Sequence, residues 1–167
     1  MQTNFKKNIP NILSLSRIFL FIPLIILYDS DYFLLCLIVV SLYSFISDEL
    51  DGYYAKKWNV CSEFGAILDS LGDKIFVISS LFILLYKIPS VILLTLSIMT
   101  LIREMVRISF KHNTIKNLIN VDKISIIKTY LQYFSLPLLY YNLNLGLITL
   151  SISVLLGLKF YVDLYKN

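Results

Sequence analysis

Residues that bind soft metals or form covalent cross-links are scarce in this sequence. The chain has one histidine and two cysteines among its 167 residues. Cys36 lies within an apolar run, and Cys61 lies in a short segment between two such runs. Two cysteines placed in this way predict neither a disulfide framework nor a zinc site. Both classes of protein are therefore set aside.

Charged residues are also few. They make up 16% of the chain, whereas a soluble domain averages about 25%. Hydrophobic residues reach 57%, the mean hydropathy is +0.75, and the apolar runs do not reduce to one amphipathic face. The composition predicts a single all-α integral membrane domain over residues 1–167. The sequence predicts no soluble basic domain that could bind nucleic acid. We therefore expect the net charge of +4 to favour contact with membrane lipids.

The apolar runs predict six transmembrane helices. A span requires roughly 20 helical residues. The six candidate spans are 9–28, 33–56, 62–86, 88–111, 121–141 and 145–164. No small-residue cleavage site follows the first run, so we expect that run to remain as a span.

Basic residues lie at alternate ends of these spans. On one side the list is Lys6, Lys7, Arg17, Lys56, Lys57, Arg103, Arg107, Lys111, Lys116, Lys123, Lys128 and Lys166. On the other side, the segments 28–31, 86–90 and 141–144 contain one basic residue, Lys87. The positive-inside rule then predicts that both termini are cytoplasmic.

Acidic residues concentrate at one cytoplasmic end. Six of the eleven carboxylates fall between residues 47 and 74, namely Asp48, Glu49, Asp51, Glu63, Asp69 and Asp73. Two groups within this stretch have helical spacing: Asp48, Asp51, Gly52 and Ala55, followed by Gly65, Asp69, Gly72 and Asp73. Each group occupies one helix face, and the short turn between the helices allows the two faces to oppose each other.

Converging carboxylates repel each other and require a cation. Carboxylate oxygens are the ligands of hard divalent ions, so the four aspartates predict a metal site. Glu49 and Glu63 do not share the aspartate faces and are expected to be solvated. Two other interpretations are an ordinary solvated loop and the ion site of a small cation channel or transporter. The channel interpretation requires polar residues towards the outer face, where few occur.

The same stretch is similar to the signature of the CDP-alcohol phosphatidyltransferase family, D-x2-D-G-x2-A-R-x8-G-x3-D-x3-D. The chain reads Asp48-x2-Asp51-Gly52-x2-Ala55-Lys56-x8-Gly65-x3-Asp69-x3-Asp73, which matches seven of the eight specified positions. The departure is Lys56, where the family has arginine. The resemblance covers essentially the whole chain and implies a six-span homodimer in the bacterial inner membrane, with its active site at the cytoplasmic face.

The resemblance implies transfer of a phosphatidyl group from CDP-diacylglycerol to an alcohol, with release of CMP. It assigns Asp48, Asp51 and Asp69 as ligands of two divalent cations, Mg²⁺ or Mn²⁺, and Asp73 as both a ligand and the general base. The residues that would contact CDP-diacylglycerol are Gly52, Lys56 and Ser62. Ser62 could instead be a helix N-cap before Glu63.

Four shorter stretches resemble the bacterial branch of the family that forms phosphatidylglycerophosphate from glycerol 3-phosphate. They are "NIPNILSLSRIFLFIPL", "FGAILDSLGDK", "IREMVR" and "IKTYLQ". Arg103 and Arg107 share a helix face, and Lys128 opens the next span, so these three are the candidates for the acceptor phosphate. They could also be ordinary cytoplasmic charges that only set the orientation of the protein in the membrane. Inositol phosphate, serine and phosphatidylglycerol remain alternative acceptors, and Arg17 could either snorkel to the headgroups or act as a ligand.

Overall fold

The computed structural model describes residues 2–60, 62–113 and 123–166, and within these ranges the regular structure is entirely α-helical. The helices are α1 (Gln2–Ile18), α2 (Phe21–Ile26), α3 (Phe33–Lys57), α4 (Glu63–Lys87), α5 (Val91–Asn113), α6 (Lys123–Tyr141) and α7 (Leu143–Lys166). This confirms the all-α class. Most described residues of each predicted span are helical, apart from residues 19–20 and 27–28 in the first span and a few residues at the starts of the third and fourth. The chain packs as two compact units, Met1–Ile83 and Leu84–Asn167, and the prediction of a single domain stays a prediction.

The first predicted span, 9–28, is two helices rather than one. At the break the backbone hydrogen bonds span three residues instead of four. The Phe19 amide donates to the Ser16 carbonyl at 3.1 Å, and the Leu20 amide donates to the Arg17 carbonyl at 3.3 Å. Pro23 explains the break. It has no amide hydrogen, and its ring conflicts with the carbonyl four residues earlier, which belongs to Phe19. Arg17 consequently lies in the last turn of α1.

In the first unit, α1 and α2 pack against α3. Its fully buried apolar side chains include Leu24, Phe33, Leu37, Phe76 and Leu81. Helix α4 approaches α1 closely at Gly72, where a methyl group would lie 2.7 Å from the Ser14 carbonyl oxygen. A glycine at this position therefore allows the α4 backbone to reach α1, in the way that small residues allow close helix approach.

In the second unit, α7 packs against both α5 and α6. Helices α6 and α7 are joined through Asn142, whose side-chain oxygen accepts a hydrogen bond from the Leu145 amide at 3.3 Å. The buried core of this unit includes Leu93, Tyr133, Leu136, Leu139 and Leu150. Gly146 faces the Leu139 backbone too closely for a larger residue, which brings the start of α7 against α6.

The surface carries many large apolar side chains, and every described helix exposes some of them. Among the described residues, two segments, Asn8–Ile26 and Phe33–Lys57, are long and apolar enough to cross a membrane, and Leu143–Leu158 is a shorter apolar stretch. Such a surface suits a hydrocarbon environment, in which backbone polar groups are satisfied within helices. The span count and the face of the active site stay predictions.

Candidate active site

Helices α3 and α4 bring three of the predicted aspartates together. Asp48, Asp51 and Asp69 each offer a carboxylate oxygen, and these oxygens lie within 4.8 Å of one another. Asp51 is buried, while Asp48 and Asp69 are partly exposed. This separation is small enough for oxygens from both helices to ligate shared cations.

The turn between these helices follows from its local sequence. Asn59 adopts a left-handed conformation with φ of 51°, which ends α3. The Val60 amide donates to the Ala55 carbonyl at 3.0 Å, and the Asn59 amide donates to the Lys56 carbonyl at 3.2 Å. This pair of bonds is a Schellman motif, in which asparagine is one of the residues that tolerate the left-handed position. The chain can therefore reverse direction sharply between the two groups of aspartates.

Arg17 of α1 lies in the middle of the aspartates. It is 0% exposed, and its guanidinium donates hydrogen bonds to all four carboxylates. Nη1 binds Asp48 at 2.8 Å and also binds Asp73, while Nη2 binds Asp51 and Asp69. Asp73 thus joins the other three, and we call these residues the aspartate tetrad. Arg17 does not snorkel to the surface.

A second side chain of α1 reaches the tetrad. The Ser14 hydroxyl donates to Asp51 Oδ2 at 2.9 Å and lies 3.1 Å from the Pro10 carbonyl oxygen. Ser14 and Arg17 are three residues apart and share a helix face. Their spacing within an apolar run is the one sequence signal that could have identified α1 as the third helix of the site.

The tetrad fits hard divalent cations. All of its side chains offer oxygen, and oxygen is the donor preferred by Mg²⁺ and Mn²⁺. Four ionised carboxylates carry four negative charges, which two divalent ions would balance. The donor set does not distinguish Mg²⁺ from Mn²⁺.

The three residues expected to contact CDP-diacylglycerol lie at the ends of α3 and α4. Gly52 has open space beside it, because no atom beyond its chain neighbours and the adjacent α3 backbone lies within 4 Å of the position that a methyl group would take. Lys56 is exposed near the end of α3. The Ser62 hydroxyl accepts a hydrogen bond from the Gly65 amide at 3.0 Å, so Ser62 does cap α4. A contact between Ser62 and the nucleotide remains a prediction.

The second unit contains a buried basic cluster. Arg103, Glu104 and Lys128 are 4%, 7% and 5% exposed. Glu104 Oε1 accepts hydrogen bonds from Arg103 Nη2 at 2.7 Å and from Lys128 Nζ at 2.9 Å. Two of the three predicted acceptor residues are therefore close together, and Glu104 positions both. The side chain of Arg107 lies outside the described residues.

Helix α7 completes this cluster through Ser153 and Gly157, two residues for which no role was predicted from the sequence. Arg103 Nη1 donates to the Ser153 carbonyl at 3.0 Å. A methyl group on Gly157 would lie 2.6 Å from the same nitrogen. Ser153 and Gly157 are four residues apart, so they form a small-residue face over which the Arg103 side chain lies. Charges that only set membrane orientation are expected at the surface, whereas Arg103 and Lys128 are buried.

Comparison with known proteins agrees with these features. The family model for CDP-alcohol phosphatidyltransferase matches residues 7–159. A protein of Blochmanniella floridana named CDP-diacylglycerol–glycerol-3-phosphate 3-phosphatidyltransferase is 33% identical, over 90% of this chain and 85% of its own length. A protein of the same name from Wigglesworthia glossinidia brevipalpis is 31% identical over 96% and 98%. A third, from Aquifex aeolicus, is 43% identical, but the match covers 44% of this chain and 41% of that protein. The chain belongs to the CDP-alcohol phosphatidyltransferase family.

Proposed function

We propose that this protein is a phosphatidylglycerophosphate synthase. It transfers the phosphatidyl group of CDP-diacylglycerol to glycerol 3-phosphate and releases phosphatidylglycerophosphate and CMP. The observation that carries the proposal is the aspartate tetrad, which is formed by the residues of the family signature. The names of the two relatives that match this chain over most of their length support glycerol 3-phosphate as the acceptor.

Asp48, Asp51, Asp69 and Asp73 would hold two divalent cations, Mg²⁺ or Mn²⁺. When bound, such ions neutralise a pyrophosphate and stabilise the departing nucleotide. The protein supplies the positioning. Ser14 fixes the Asp51 carboxylate through its hydroxyl, and Gly72 allows α4 to approach the helix that carries Ser14.

Asp73 is the proposed general base. The acceptor oxygen forms a bond to the phosphorus that bears diacylglycerol, and the bond from this phosphorus to the bridging pyrophosphate oxygen breaks. The electron pair leaves with CMP, and the hydroxyl proton passes to an Asp73 oxygen. A carboxylate can act in this way when it lies within hydrogen-bond reach of the reacting hydroxyl. Holding both reactants in place lowers the barrier further.

Gly52, Lys56 and Ser62 are proposed to bind the CDP portion. The open space beside Gly52 supports close approach of a nucleotide to the α3 backbone. Lys56 is exposed and carries a charge for phosphate. A lysine makes a point contact where the family arginine would offer two parallel donors, so we expect weaker orientation of the phosphate.

Arg103 and Lys128, with Arg107, are proposed to bind the phosphate of glycerol 3-phosphate. Burial of the first two beside Glu104 supports this role, because a fixed cation in a low-dielectric setting attracts an anion more strongly than a solvated one. Glu104 holds Arg103 and Lys128 in defined positions. Glu104 is therefore a positioning residue.

The protein is proposed to be a multi-pass protein of the bacterial inner membrane, with six spans, cytoplasmic termini and a homodimeric assembly. The one-sided distribution of lysine and arginine supports this orientation. Exposed apolar side chains on every described helix support lipid contact.

An acceptor competition tests the proposal. The purified protein would receive CDP-diacylglycerol, Mn²⁺ and equal concentrations of glycerol 3-phosphate, inositol phosphate, serine and phosphatidylglycerol, with lipid products identified by mass spectrometry. Phosphatidylglycerophosphate should dominate. The Asp69→Asn variant, which loses one carboxylate of the tetrad, is the matched inactive control. Efficient transfer to another acceptor, with none to glycerol 3-phosphate, would overturn the acceptor assignment and leave the aspartate chemistry standing.

A further inference from the structure

Arg17 occupies the point on which the aspartate tetrad converges. It donates to Asp48 and Asp73 through one nitrogen and to Asp51 and Asp69 through the other. The planar fork of a guanidinium is well suited to binding several carboxylates at once. Arg17 therefore uses at least one oxygen of every proposed metal ligand.

A divalent ion and this guanidinium are alternative partners for the same carboxylates. Both are cations, and two cations held a few ångströms apart by shared ligands repel each other strongly at low dielectric. Arg17 is fully buried, so water would screen this repulsion only weakly. Metal binding then requires the guanidinium to withdraw from the centre of the tetrad.

The position of Arg17 allows this withdrawal. It lies in the last turn of α1, beside the break at Phe19 and Leu20, where the helical bond pattern already changes. An arginine side chain is long and has several rotatable bonds, so its head can move without displacing the helix.

We propose that Arg17 is a tethered counter-cation that competes with divalent metal for the aspartate tetrad and thereby sets the metal affinity of the enzyme. This inference rests on the proposed metal site. Arg17 neutralises part of the acidic charge, and the apparent metal affinity falls in proportion to the fraction of molecules in which the tetrad is free of Arg17. If Arg17 holds the tetrad in about 90% of molecules, its removal tightens apparent metal binding roughly tenfold.

The test is a titration of the purified protein with Mn²⁺ at fixed ionic strength. Electron paramagnetic resonance measures the concentration of free Mn²⁺ at each point. Arg17→Gln should bind Mn²⁺ about tenfold more tightly than wild type. Arg17→Lys keeps the charge but replaces the fork by a single ammonium that cannot reach four carboxylates in the same way. It should therefore also bind Mn²⁺ several-fold more tightly.

Lys57→Gln is the matched control for charge. Lys57 is exposed at the end of α3, with its ammonium 5.2 Å from the centre of the Tyr53 ring. Removal of its charge changes the net charge as Arg17→Gln does, and Mn²⁺ affinity should stay near wild type. An Mn²⁺ affinity of Arg17→Lys equal to wild type would overturn the competition. So would an Arg17→Gln affinity no tighter than that of Lys57→Gln.

Asp69→Asn separates this inference from the metal site on which it rests. Its Mn²⁺ binding should weaken strongly, because Asp69 contributes one of the clustered carboxylates. Unchanged Mn²⁺ binding in Asp69→Asn would reject the metal site itself. Binding that depends on Asp69 but not on Arg17 would reject only the competition.

Discussion

The Gly157→Ala substitution tests the basic cluster without removing any of its charged groups. The added methyl carbon would lie 2.5 Å from Arg103 Cδ, 2.6 Å from Nη1 and 3.0 Å from Nε. These separations are shorter than van der Waals contact, so the Arg103 side chain must move. That movement disturbs its bonds to the Ser153 carbonyl and to Glu104. Glu104 also binds Lys128, so the disturbance spreads to the second cation.

The size of the effect follows from the bonds at risk. Loss of a hydrogen bond to a charged group costs about 1.5–3 kcal/mol. If this cost falls on acceptor binding, KM for glycerol 3-phosphate should rise roughly 10- to 150-fold. KM for CDP-diacylglycerol should stay near wild type. Steady-state kinetics with each substrate varied in turn measure both values, and a thermal unfolding curve checks that the variant is folded.

A double-substitution cycle shows whether Gly157 acts through Arg103. Arg103→Ala should have at least as large an effect on glycerol 3-phosphate use. Gly157→Ala should add little to it, because the side chain that it displaces is then absent. Additive effects, or a Gly157→Ala variant with normal glycerol 3-phosphate kinetics, would show that Gly157 does not act through Arg103.

Three further outcomes are expected at the aspartate tetrad and its surroundings. EDTA should abolish transfer and added Mg²⁺ or Mn²⁺ should restore it, as measured by CMP release; full activity in excess chelator would contradict a metal site. Asp73→Asn should reduce kcat far more than CDP-diacylglycerol binding, because the amide offers an oxygen but cannot take a proton; parallel losses would make Asp73 chiefly a ligand. Lys56→Ala should raise KM for CDP-diacylglycerol while Lys56→Arg is tolerated, and a Lys56→Ala enzyme with wild-type kinetics would place this side chain in solvent.

Much of the helical architecture could be predicted from local pattern. The apolar runs located the helices, and the spacing of Asp48, Asp51, Asp69 and Asp73 placed them on two helix faces that the structure brings together. The break before Pro23 was also readable in principle, since proline removes an amide donor and conflicts with a carbonyl one turn earlier.

The role of Arg17 could not be predicted in the same way. A lone arginine in an apolar run can snorkel outwards or turn inwards, and the choice depends on how α1 packs against other helices. That packing depends on Gly72, which lies far from Arg17 in sequence and meets the Ser14 carbonyl. The burial of Glu104 with Arg103 and Lys128 likewise depends on α7. Gly157 of α7 leaves room for the Arg103 side chain, although the two residues are far apart in sequence.

The most direct test of the proposed metal site is a structure of the protein with Mn²⁺, using anomalous diffraction at the manganese edge. Two anomalous peaks are expected within ligand distance of the tetrad, at roughly 2.0–2.3 Å from oxygens of Asp48, Asp51, Asp69 and Asp73. The Arg17 guanidinium should have left the centre of these carboxylates. Manganese bound elsewhere, with Arg17 still joined to all four aspartates, would contradict the metal site and the chemistry proposed for it.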